Sequence, residues 1–354
     1  MKKPFIWDHY SDQPYPIKDK AYKKKMRKRV IFDHVELVLK NILLFPISII
    51  SMNFFKPTKS INDNFLGIGI DLDKGKDIQI ELVNELGVKN LLIRMPLWQM
   101  DRVDEYLDFV KSFPKHNILL NILQDREHIE DTKLLKQDIT KIFDTFSPYI
   151  KEYQVANAIN RTKWGFFSTK EYLRWYKIIQ QIRDKNYPSL KLIGPSVIDF
   201  EYHYMIDALF NLHDIKYDAI SSLLYVDRRG APQNKQMLIF DTKNKIKLLY
   251  ALTKLSTKTK TDQIYITEVN WPLKDTAPYA PTSEKECVSE KEYERYMIDY
   301  LKIAKDSYMI SRVYWHQLIA PGYGLVDNRD NRVRKTLAFY SFKKLLQEEQ
   351  NATN

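Results

Sequence analysis

Glu268 ends an apolar run of strand length, QIYITEVNW; Arg94 ends another, NLLIRMPLW, and Tyr225 lies near the end of a third, YDAISSLLYVD. A carboxylate at the end of a buried strand is costly unless it is paired or hydrogen-bonded. Arg94 is the natural counter-ion, and Tyr225 can donate to the same group. A carboxylate held ionised and oriented in this way suits nucleophilic attack on an anomeric carbon; a structural Arg–Glu pair would use the same residues. A fourth run, YQVANAIN (153–160), ends among the asparagines Asn157 and Asn160, with the bare methyl of Ala158 held between them.

The elements that must position these groups can be read from the hydrophobic pattern. From about residue 61, eight apolar runs recur: 65–73, 90–98, 117–125, 153–160, 190–200, 217–227, 263–271 and 311–319. Most of the segments between them are amphipathic at helical spacing, such as VDEYLDFVKSF and KEYERYMIDYLKIAKD, and RKTLAFYSFKKLLQEE follows the last run. Strands apolar on both faces that alternate with helices predict an α/β fold with a parallel sheet, and eight repeats predict a closed (β/α)8 TIM barrel. The first strand is followed by DLDKGKD, with one glycine, which disfavours a dinucleotide-binding sheet. Barrels of this kind do their chemistry at the C-terminal ends of the strands. Those ends carry Asp71, Asp73, Arg94, Gln124, Asn157, Asp199, Glu201, Tyr225, Asp227, Glu268, His316 and Gln317, among others.

In LLIR, VANAIN, SLLYVD, ITEVNW and VYWHQL the chain resembles the clan A retaining glycoside hydrolases over residues 61–346. The resemblance implies Glu268 as nucleophile, and Asn157, Arg94, Tyr225 and Trp315 as sugar-binding residues, with Trp315 forming the floor under the ring. Asn160, Trp164 and Trp271 are further substrate-binding candidates. Where the family carries its acid/base glutamate, after the asparagine of the fourth strand, this chain has Ala158. Three explanations stay open at this level: a native glutamate replaced by alanine, a proton supplied by another carboxylate (Asp199, Glu201 or Asp227), or a barrel that binds glycans without cleaving them. Arg228 and Arg229, on the loop after the sixth strand, could meet an acidic sugar or a lipid-linked phosphate, or simply be solvated.

The net charge is +11, but residues 1–30 alone hold ten Lys/Arg against three Asp. The basic balance therefore belongs mostly to an N-terminal arm, which argues against nucleic acid as a partner. The cluster KDKAYKKKMRKR (18–29) runs into an apolar segment, 30–55, whose fifteen uncharged residues between Lys40 and Lys56 are interrupted by Pro46. That is short of the roughly 20 residues needed to span a bilayer. A basic, partly apolar extension of this kind is expected to lie in the interface of an anionic membrane through residues 18–55, on the cytoplasmic side, beside a glycan or lipid-linked saccharide partner. A helix packed on the barrel is the competing expectation. Three divisions follow: the arm 1–60, the barrel 61–346 and a polar tail 347–354. The single cysteine, Cys287, permits no internal disulfide, and the scattered histidines show no metal-ligand spacing, so no metal or cofactor is implied.

Overall fold

The computed structural model describes residues 5–57, 64–329 and 332–353; the expected boundary at residue 60 lies outside the described residues. The chain begins with a small hairpin, β1 (Trp7–Asp8) and β2 (Gln13–Pro14), followed by helices α1 (Lys20–Arg29) and α2 (Ile31–Ser51). The barrel then runs β3 (Leu66–Ile70), α3 (Lys76–Leu86), β4 (Asn90–Pro96), α4 (Val103–Lys111), β5 (Asn117–Leu123), α5 (Arg126–Glu130), α6 (Thr132–Phe146), β6 (Glu152–Val155) and α7 (Thr169–Asn186). It continues with β7 (Lys191–Ile198), α8 (Tyr202–Leu209), β8 (Ala219–Leu223), α9 (Thr242–Leu255), β9 (Ile264–Val269), α10 (Glu290–Asp306) and β10 (Arg312–Trp315). A second hairpin, β11 (Val326–Asp327) with β12 (Arg334–Lys335), leads into α11 (Leu337–Thr353). The strands β3 to β10 are parallel neighbours in sequence order, and β10 pairs with β3 to close the barrel. Each of the eight apolar runs became one barrel strand.

Alternation along the strands sorts the side chains into two sets. Leu92, Leu119, Ile193, Ala219, Tyr265 and Tyr314 form one buried cluster inside the cylinder, while the opposite parity, including Leu91, Ile93, Leu120 and Ile266, packs under the helices. Gly67 leaves the interior to Tyr314, whose ring would stand 2.6 Å from a Cβ there. Two residues above Leu92, Leu119 and Tyr314, the same alternation brings Arg94, Asn121 and His316 to the interior at the C-terminal end.

Glu268 needs an extra device, because it has the parity of the outward-facing Ile266. Val313 pairs with Ile266 but Trp315 pairs with Val269, so β9 carries one extra residue at this point. Such a bulge re-aims the chain locally, and the Glu268 carboxylate meets the groups on the barrel axis.

Both termini differ from the expected divisions. Residues 7–14, expected within a detached basic arm, fold back over the C-terminal mouth of the barrel, where the Arg94 guanidinium donates to the Asp12 carbonyl. The expected tail 347–354 is largely the last turns of α11, and Glu349 accepts from the backbone N–H of Phe65 and, at 3.3 Å, of Leu66 at the start of β3. Helix α2 continues through Pro46 and lies along α8 and α9. Phe45 stacks on Tyr202 with ring centroids 3.9 Å apart, and Lys40 bridges Glu36 at 2.7 Å and Asp207 at 2.8 Å.

Candidate active site

Glu268 is held by donors from β4 and from the segments that follow β6 and β8. Its Oε2 accepts from Arg94 Nη2 at 2.5 Å, its Oε1 from Tyr225 Oη at 2.5 Å, and Asn157 Nδ2 stands 3.5 Å from Oε2. The orientation of the Asn157 amide follows from its surroundings: Oδ1 accepts from Asn121 and from Gln154, both at 3.2 Å, which leaves the amino group for the carboxylate. Gln124 fixes the Asn157 backbone at both ends, accepting from its N–H at 2.9 Å and donating to its carbonyl at 2.7 Å. The sequence pairing of Arg94, Tyr225, Asn157 and Glu268 is thus met in one cluster.

Burial alone would raise the Glu268 carboxyl. The charges of His316 and Arg94, with the hydrogen bonds from Tyr225 and Arg94, outweigh it and hold the group down at about 2. His316 is itself pushed down to about 4, first by burial and then by the Arg94 charge. At neutral pH it is therefore an uncharged ring, and Arg94 and Tyr225 keep Glu268 ionised. Burial and the Glu268 charge push the Tyr225 phenol well above its ordinary range, so it remains a donor. The Arg229 guanidinium lies over the Tyr225 ring, 3.4 Å from its centroid, and is packed there rather than extended into solvent.

Several residues expected at the mouth lie elsewhere. Trp315 shares the outward parity of Val313; it is fully buried, stacks on Trp271 with centroids 5.9 Å apart, and donates from Nε1 to Tyr293 Oη at 2.8 Å. It offers no open face to a sugar, and the interior position at the end of β10 belongs to His316. Trp271 is equally buried and donates to the Gly230 carbonyl at 3.0 Å. Asn160 spends its whole amide on tying the loop after β6 to β7: Nδ2 donates to the Ile198 carbonyl at 3.0 Å and to Glu201 at 2.6 Å, while Oδ1 accepts from Ile198 N at 2.9 Å. Trp164 is at the mouth, 6.0 Å beneath the Arg94 guanidinium, but covered.

The cover is the N-terminal hairpin. Trp7 packs against Trp98 and Trp164, with centroids 5.2 and 5.7 Å apart. Asp12, in left-handed backbone at φ 49°, projects into the barrel end. Its Oδ2 takes Tyr323 Oη at 2.8 Å, Gln317 Nε2 at 2.9 Å and Lys74 Nζ at 3.0 Å. Gln13 accepts from Lys163 Nζ at 2.5 Å; Lys163 is pushed down to about 8 by burial and by Arg161. Beside the hairpin remains a polar cavity of about 220 Å³ lined by Asp12, Asp71, Lys74, Arg94, Trp98 and others. Burial, then the Asp12 charge, raises Asp71 there to about 6. Nothing in the sequence marks Asp12 as a site residue, because its position depends on the chain folding back across the whole barrel.

Ala158 is fully buried within the main apolar cluster and has φ 46°. Two of the carboxylates considered as its replacements, Asp199 and Glu201, both close on the Arg161 guanidinium, Asp199 at 2.5 Å. They are held as partners of one cation.

No family model matches the sequence, and no curated protein matches it either. Solved structures do. The chain is similar to a monomeric β-xylosidase from Caulobacter crescentus CB15, with a TM-score of 0.58 and 13% identity over 82% of this chain and 69% of that one. It is also similar to the GH39 enzyme from Xanthomonas axonopodis pv. citri, with a TM-score of 0.59 and 13% identity over 82% and 67%. The catalytic domain of the GH53 protein from Ignisphaera aggregans gives a TM-score of 0.56 and 12% identity over 81% and 98%. With its eight parallel strands closed in sequence order, the chain has the (β/α)8 fold of these glycoside hydrolases.

Proposed function

We propose that this protein is a glycan-directed barrel of the retaining glycoside hydrolase type, with Glu268 as the nucleophile of a double displacement. The supporting observation is the grip on Glu268. Donors from β4, from the end of β8 and from the end of β6 converge on a carboxylate held ionised at about 2, at the end of the barrel where such chemistry is done. A purely structural pair with Arg94 needs neither Tyr225 nor an amide as deliberately oriented as that of Asn157.

In this reading a Glu268 oxygen attacks the anomeric carbon as the bond to the leaving oxygen breaks, giving a glycosyl ester that water then hydrolyses. Ala158 has no proton to give, so the leaving group must depart unassisted, and that assistance is typically worth about 10² to 10⁴ in rate. Substrates with good leaving groups are therefore the ones to react. The sugar also needs the space the hairpin occupies, so turnover requires the segment around Asp12 to withdraw.

A panel of dinitrophenyl 2-deoxy-2-fluoroglycosides of both anomeric configurations, followed by peptide mass spectrometry, tests this directly. Covalent label on the Glu268 peptide is the expected result. A second reading, a catalytically silent glycan-binding barrel acting as an interaction module, is favoured by one observation: Asp12 already engages Lys74, Gln317 and Tyr323. It requires no label in either the wild-type chain or an Asp12→Ala variant, together with saturable oligosaccharide binding.

A further inference from the structure

A second cleft lies away from Glu268. It measures about 660 Å³ and runs between α1 and the loop that follows β6. Lys20, Lys23, Lys24, Arg27, Lys28 and His34 line it from the α1–α2 side, and no carboxylate lines it. Among the described residues none of these five lysines and arginines forms an ion pair, although nearby Arg29 and Lys40 do. The barrel side is Ile159, Asn160, Thr162, Phe166, Phe167 and Ser168. Helix α1 is fixed above it by Met26 and Val30 packed with Phe167, and by Asp19 capping its first turn. Five like charges placed together around a concave surface repel one another, and an anion with several oxygens relieves that repulsion.

The second observation is on α2, whose first residue, Ile31, also lines the cleft. The inner side of α2 is pinned to the barrel by Lys40, Asn41 and Phe45. Its outer side is apolar from end to end: Phe32 is 81% exposed, Ile42 65% and Leu43 70%, and Val35, Leu39, Ile47 and Ile50 continue the stripe at helical spacing. An apolar stripe of this length facing water needs a cover, and the cation cluster at its N-terminal end says what kind.

We propose that α1 and α2 form one membrane-docking surface. The phosphate of an anionic phospholipid occupies the α1 cleft and the outer face of α2 lies among the acyl chains. The helix lies in the interface rather than crossing it, because Glu36 with Lys170, Lys40 with Asp207 and Asn41 with the His203 carbonyl fasten it lengthwise to the barrel. Thr162 of the cleft belongs to the same loop as Lys163 and Trp164 of the barrel mouth, so a docked headgroup sits beside the candidate site. The inference uses no catalytic group and stands or falls independently of Glu268.

Flotation of the full chain with phosphatidylcholine vesicles, with and without phosphatidylglycerol, tests it. Binding is expected only with phosphatidylglycerol and is expected to weaken as salt is raised. The variant Lys23→Ala/Lys24→Ala/Arg27→Ala/Lys28→Ala should bind on the order of 10²- to 10³-fold more weakly. Leu39→Ser/Leu43→Ser should lose binding while keeping the thermal unfolding midpoint of the wild type. A glycerol phosphate titration distinguishes the free anion from the bilayer. Saturation by glycerol phosphate with no vesicle binding overturns the proposal, as does wild-type binding indifferent to phosphatidylglycerol or a cation variant that floats like the wild type. The wild-type salt dependence decides the matter even if a variant fails to fold.

Discussion

Arg94 divides its guanidinium between two partners, Glu268 through one nitrogen and the Asp12 carbonyl through the other, so it links the candidate nucleophile to the segment that covers it. Both charges are buried, and removing one strands the other. Arg94→Met is therefore expected to destabilise the chain by about 3 to 5 kcal/mol, read by denaturant unfolding. Tyr225→Phe is milder: it removes one hydrogen bond to the carboxylate, raises the Glu268 pKa, and should slow fluoroglycoside labelling about 10- to 100-fold without unfolding the protein. His316 predicts a pH effect. Its folded value of about 4 lies below the ordinary 6.5, so the unfolded chain takes up the proton first. Stability from this group is complete above about 6.5 and is lost as pH falls towards 4, by on the order of 3 kcal/mol. Glu268, held down at about 2 by its cations and donors, adds a second loss below about 4.5 as pH falls towards that value. His316→Asn should flatten the unfolding free energy between about pH 6.5 and 4 and also shrink the loss below about 4.5, because the His316 charge is the largest of those that hold Glu268 down.

At the scale of elements, the hairpin and the bulge of β9 decide what the mouth can do. The bulge turns Glu268 inward against the strand's alternation, and the hairpin then fills the space in front of it. Asp12 supplies most of the hairpin's polar hold on the barrel, accepting from Tyr323, Gln317 and Lys74 with one oxygen. In Asp12→Ala those three donors lose their acceptor. Hydrogen exchange is expected to rise in residues 6–15 and remain slow in β3 to β10, and labelling of Glu268 is expected to quicken. An unchanged exchange pattern would show that Trp7, against Trp98 and Trp164, holds the cover without Asp12.

At the scale of the whole molecule, barrel closure depends on a residue the hydrophobic pattern assigned to a tail. Glu349 accepts from two backbone N–H groups at the start of β3, the strand that pairs with β10 to complete the cylinder. Removing residues 349–354 leaves those buried donors without it, and a loss of about 1 to 3 kcal/mol is expected by thermal or urea unfolding. The eight strands, their parallel order and the meeting of Glu268 with Arg94, Tyr225 and Asn157 were legible in the sequence, because apolar periodicity fixes which segments are strands and strand ends collect at one mouth. Strand parity could also have shown that Trp315 faces the helices, since Val313 two residues earlier does, and that His316 takes the inner place. The one-residue bulge before Val269, the fold-back of residues 7–14 with Asp12 on Lys74, Gln317 and Tyr323, and the burial of Trp271 were decided only by the tertiary structure. Local pattern encodes what a segment is; where a hairpin 305 residues from Gln317 comes to rest depends on surfaces that exist only once the barrel has closed.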